Sequence, residues 1–141
     1  MEDAALPSYI RYALPVFERI LTVGVNKKRN ALLEEALRNK QCTKAVIEFA
    51  YNVLYNDAVH FSAATKKRLR VHKRHYERLS GATDNLSAKR RLIEKRGHEF
   101  VPDLLKTIVP ILRNHDGSGY ETHRRSFVRA TNATAPGGRG R

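Results

Sequence analysis

Cysteine is close to absent from this chain: Cys42 is the one thiol among 141 residues. A lone cysteine closes no intrachain disulfide and no cysteine-based zinc site, so no covalent staple is expected. Long apolar runs are missing too. No stretch reaches the roughly 18 apolar residues that a membrane-spanning helix needs. The opening MEDAALPSYIRYALP carries acids at Glu2 and Asp3 and lacks the basic start and unbroken apolar core of a secretory leader. The expectation is a chain that is not secreted and works in a reducing compartment, nuclear or cytoplasmic.

Catalytic patterns are equally scarce. Neither G-x-x-x-x-G-K-[ST] nor G-x-G-x-x-G occurs. Glu34 and Glu35 are adjacent and so diverge on a helix, and Glu48 is expected on the side of its helix opposite the stripe of Phe49. Cys42 precedes a helix whose start can lower a thiol pKa, but a passive thiol is the better reading. His60, His72 and His75 lack the spacing of a metal site and, in sequence, any nearby acid. A non-enzymatic protein with no cofactor and no metal is expected.

Acids are the last shortage: 14 Asp+Glu stand against 27 Lys+Arg, for a formal charge of +13 and a pI near 10.3. A charge that large costs self-repulsion, and its physical use is to concentrate an acidic partner. The excess is uneven. Residues 62–96 carry +9, against +1 for 1–61, −1 for 97–112 and +4 for 113–141. Charge spread for solubility alone would not gather in one quarter of the chain.

What is present is helical periodicity, supported by a 41% hydrophobic content. From Pro7 to Leu21, residues Ile10, Ala13, Leu14, Phe17, Ile20 and Leu21 form one face, with Pro15 expected to kink or split the helix. A short helix near 30–38 follows, with Leu32, Leu33, Ala36 and Leu37. The strongest pattern is Val46, Phe49, Ala50, Val53 and Leu54, a central helix over 43–56 with Thr43 as its expected N-cap. Ser62 is the expected cap of a basic helix to Leu79, stopped by Gly81, and Ser87 that of a second basic helix to Arg96, stopped by Gly97. Pro102 opens an apolar helix over 101–112, with Leu104, Leu105, Ile108, Val109 and Leu112 on one face. Residues 114–141, rich in Gly, Ser, Thr and Arg, read as a flexible tail.

The basic segment carries the chemistry. Lys66, Lys67, Arg68, Arg70, Lys73, Arg74 and Arg78 recur at spacings that put cations along adjacent strips of one helix. Such rows repel one another until phosphates neutralise them, with counterion release supplying much of the affinity. Lys89, Arg90, Arg91, Lys95 and Arg96 form a second cluster beside a helix start, where backbone N–H groups also attract phosphate. Two basic helices joined by GATDN would clamp one phosphate backbone, with little base discrimination. Tyr76 shares the stripe of Leu69 and Leu79, so a core or rim place outweighs base stacking. Arg124, Arg125 and the terminal GGRGR add sequence-tolerant contacts. KKRLR and AKRR also fit a nuclear-localisation signal.

The strings NKKRNALLEEAL, KAVIEFAYNVLYND, SAATKKRLRVHKRHYERL and SAKRRLIEKRGHEFVPDLLKTIVPIL resemble, in content and order, small basic proteins of adenovirus-like and Polinton-type (adintovirus-like) mobile elements. The last is also similar to the basic core protein X of adenoviruses. There a Gly-Gly-Phe-Leu-Pro sequence follows the basic segment, whereas Gly97-His98-Glu99-Phe100-Val101-Pro102 stands here. The resemblance implies a protein that coats or condenses double-stranded DNA, in a virion or a host nucleus.

The expected architecture is all-α: a compact bundle of about five to six short helices over 1–113, with the basic surface at 62–96 and a basic C-terminal tail. The expected function is sequence-tolerant nucleic-acid binding and condensation, with duplex DNA the expected partner. A minor capsid or scaffold protein that docks or self-associates through the apolar helix 101–112 is the alternative. An RNA-binding protein ranks lower, since no RRM or KH signature is present.

Overall fold

Six helices run through residues 6–56, 60–82 and 84–113, the parts of the chain that the computed structural model describes. They are α1 (Ser8–Leu21), α2 (Asn26–Ala36), α3 (Lys40–Tyr55), α4 (Ala63–Arg70), α5 (Lys73–Ser80) and α6 (Leu86–Arg113). No strand occurs among the described residues. The tail beyond Arg113, with Arg124 and Arg125, lies outside them.

α6 is the spine and touches each of the other five helices; α3 is the second hub, packed on α1, α5 and α6. Apolar faces set this arrangement. Ile10, Ala13, Leu14, Phe17 and Ile20 of α1 and Val46, Phe49 and Ala50 of α3 share one buried cluster with Phe100, Leu104, Leu105, Ile108 and Leu112 of α6. Phe17 meets Phe49 edge-on at 6.1 Å. Each Leu, Ile, Val or Phe among them, fully withdrawn from water, contributes about 1.5–3 kcal/mol of transfer free energy. The apolar face of 101–112 is therefore interior, and the patch on which a docking or self-associating role depended is not exposed. No helix among the described residues is long and apolar enough to cross a membrane.

The boundaries differ from the sequence expectations in five places, the first being α2, which starts at Asn26 and ends at Ala36 and not near 30–38. α1 stays one helix through Pro15, whose ring sits on the exposed side. α3 is capped by Asn39, whose side chain accepts from the N–H groups of Gln41 (2.8 Å) and Cys42 (3.3 Å). Thr43 is instead buried in the first turn, donating its hydroxyl to the Leu37 carbonyl at 2.9 Å.

The expected basic helix 62–79 breaks in two. Ser62 caps α4 by accepting from Thr65 N–H at 3.1 Å. The chain then tightens into a turn in which His72 N–H reaches the Leu69 carbonyl at 3.0 Å, and His72 leaves helical geometry at φ −108, ψ 17. The turn lets α4 lean on α6 while α5 packs on α3. It is held from outside, because the His72 ring meets Asp103 of α6 at 3.2 Å.

The two helices expected at 87–96 and 101–112 are instead the continuous α6, with Pro102 and Pro110 inside it. Its first turn is capped by Asn85, which accepts from Ala88 N–H at 2.8 Å, not by Ser87. Gly97 does not stop the helix but lies buried within it. A Cβ built there would stand 3.4 Å from Ile93 and 3.7 Å from Leu37, ordinary van der Waals distances, so neither space nor backbone requires glycine at this place.

Candidate nucleic-acid interface

α4 and α5 bury little of themselves: Leu69 in α4, and Tyr76, Leu79 and Ser80 in α5. Their other residues are exposed or half-buried. The anchor is aromatic. Tyr76 and Phe100 meet edge-on at 5.8 Å, and the Tyr76 hydroxyl donates to the Phe100 carbonyl at 3.3 Å. Burial, with Asp103 adding to it, pushes the Tyr76 pKa up, so the phenol stays a neutral donor. Tyr76 is thus a core residue, as its stripe implied.

His75 stacks on the other side of this anchor, 4.8 Å from the Phe100 ring at an interplanar angle of 22°. Its Nε2 stands 3.9 Å from Glu99, and its Nδ1 is enclosed with no hydrogen-bond partner. Burial lowers the His75 pKa; Glu99 opposes this, while His72, Arg96 and Arg78 add to it. Acids do stand near these histidines, contrary to the reading from spacing alone, because Glu99 and Asp103 come from α6. Among the described residues no group of three or more His, Cys, Asp or Glu is placed to hold a metal.

With α5 held on α6, a cavity of about 750 Å³ opens between them. Arg70, Lys73, Arg74 and Arg78 line one side and Arg96 the other, with His75, Leu92 and, as the one carboxylate among the described residues that line it, Glu77. Arg70 and Arg74 have no carboxylate partner among the described residues, nor do Lys66 and Lys67 on α4. The other three are lightly engaged: Lys73 with Glu77 at 3.9 Å, Arg78 with Asp84 at 3.3 Å, Arg96 with Glu99 at 3.2 Å. Exposed pairs of this kind contribute about 0–1 kcal/mol, so an incoming phosphate competes with them readily.

The structure brings only part of the expected set together. Arg68 turns away, donating to Thr107 at 2.9 Å with Asp103 4.0 Å off. The second cluster disperses around α6. Lys89 is only 5% exposed, and burial lowers the pKa of its amine, with Asp84 opposing. Arg90 reaches the Arg38 carbonyl at 3.0 Å, tying α6 to the end of α2. Lys95 lines a separate cavity of about 620 Å³ beside α2, and Arg91 is exposed. Of the five, only Arg96 joins the groove. One helix carries residues 87–96 on all its faces, so proximity in sequence did not become proximity in space.

Val71 falls off the Leu69–Tyr76–Leu79 stripe, and Glu48 departs from its expected place. Val71, at the α4–α5 turn, is 77% exposed amid cations and lines the groove. Glu48 is fully buried in α3, not on its outer side, and accepts from the Tyr9 hydroxyl at 3.2 Å. Cys42 is buried and its thiol pKa is pushed up to about 11, as suits a passive thiol. No protein-family model, curated protein or solved structure matches this chain.

Proposed function

We propose that this protein binds nucleic acid, duplex DNA foremost, through the α4–α5–α6 groove, with little regard to sequence, and that it condenses what it binds. The observation that carries the proposal is the groove's wall, which among the described residues holds five cations against one carboxylate. Like charges four residues apart, such as Arg74 and Arg78, cost about 0.2–0.5 kcal/mol in a bare helix, and a row of phosphates reverses that sign. The groove offers charge without a fixed set of donors converging on base edges, which favours backbone contact over sequence readout.

Coating or condensing a viral or mobile-element genome, within a virion or host nucleus, is the role that follows from the resemblance of its basic strings. No enzymatic step, cofactor or metal belongs to this reading. The tail arginines Arg124 and Arg125 serve as secondary contacts in it.

The test is competition between unrelated duplexes of equal length at low salt, with an RNA duplex as a further competitor. The proposal expects the DNA duplexes to compete within a few-fold of each other and the RNA duplex to compete less well. Absence of binding at low salt, or a strong preference for one DNA sequence, overturns it.

A further inference from the structure

Arg70 and Lys73 face a second, smaller cavity as well as the groove. It measures about 360 Å³ and lies where the end of α3 meets the chain leading into α4. Leu54, Phe61 and the buried Leu69 supply apolar walls; Lys66, Arg70 and Lys73 stand among them, and among the described residues no carboxylate lines it. This volume is at the lower end of the ~300–1,000 Å³ range of small-ligand pockets.

A surface that met only an intact duplex would have no use for apolar walls at this place, since stacked bases present phosphates and groove edges. An unstacked base is different: it is flat, largely apolar on its faces, and carries a phosphate on either side. Sequence-tolerant single-strand binders join an aromatic or apolar platform to a cationic track. Phe61 and Leu54 between Lys66, Arg70 and Lys73 offer those two elements. The shared Arg70 and Lys73 make the pocket continuous with the groove.

We infer that this pocket receives one unpaired nucleobase, so that the protein holds frayed or single-stranded DNA by a contact that an intact duplex does not make. The inference rests on the nucleic-acid reading above and narrows it to a second substrate form. Losing one stacked base corresponds to about a five- to 150-fold drop in affinity.

The experiment uses the full chain and three labelled probes at one salt concentration: a DNA duplex, a single strand, and an abasic single strand of the same length and charge. The wild-type chain is expected to prefer the base-bearing strand over the abasic one by about tenfold. Phe61→Ala should abolish that preference and leave duplex binding unchanged, while Phe61→Tyr keeps it. Equal binding of the two single strands by the wild type overturns the base pocket, and leaves the groove proposal standing if the duplex still binds. A Phe61→Ala chain that folds and keeps the preference also overturns it. Failure to bind any probe overturns both proposals.

Discussion

Replacing Arg74 by glutamine tests the groove quantitatively. Arg74 has no carboxylate partner among the described residues and lies on the exposed side of α5, so its loss leaves the packing intact. Five cations line the groove. If each displaces one counterion set from duplex DNA, the logarithm of affinity falls with the logarithm of salt at a slope of about −4.5. Between 50 and 200 mM salt that slope weakens binding on the order of 500-fold. Arg74→Gln should bring the slope to about −3.6 and the loss over the same interval to about 150-fold. Fluorescence anisotropy across a salt series reads both values. A wild-type slope shallower than about −2, or a slope that Arg74→Gln leaves unchanged, refutes the placement of phosphates in this groove.

Three further outcomes follow from positions that the fold reassigns. Lys89→Met should leave the salt slope unaltered and raise stability to denaturant, by up to about 2 kcal/mol, because a buried amine is exchanged for an apolar side chain of similar length; a slope reduced by about one places Lys89 at the interface after all. Gly97→Ala should stabilise by about 0.5–1 kcal/mol in chemical denaturation, as expected for a glycine inside a continuous helix with ordinary contact room; a loss of stability would mark Gly97 as a helix stop. The folded-state pKa of His75 lies below its unfolded value, so its contribution to stability is complete above about pH 6.5 and declines as pH falls through that value. Denaturation midpoints at pH 7.5 and 5.5 should differ more in the wild type than in His75→Phe, and equal differences contradict the assignment.

The sequence made the core legible because its signal is local. Phe49, Val46 and Ala50 recur at helical spacing, and the structure buries all of them. Ser62 as a cap and Gly81 as a stop were readable for the same reason. What was not readable depends on partners distant in sequence. The break at Val71–His72 contains neither Gly nor Pro and is tied to Asp103, 31 residues away. Gly97 and Pro102 look like a boundary, yet the buried face of α6 runs from Leu92 and Ile93 through Phe100 to Leu105 and holds the helix together across them. The cluster at 89–96 looked like one site because its charges adjoin in the chain; only the helix phase, together with the position of α2, separates Lys89, Arg90 and Lys95 from the groove. In the first cluster the charges fell on exposed faces, so sequence and space agree for Arg70, Lys73, Arg74 and Arg78.

The most direct measurement compares two altered chains on duplex DNA at one moderate salt concentration. One carries Arg70→Glu, Lys73→Glu and Arg74→Glu; the other ends at Asn114 and so lacks the tail with Arg124 and Arg125. The charge-reversed chain should keep its helical circular dichroism and lose at least about a hundredfold in affinity, since three phosphate contacts become repulsive. The shortened chain should lose less than about tenfold. If shortening proves the more damaging change, or if the charge-reversed chain binds as the wild type does, the interface is not on α4–α5–α6.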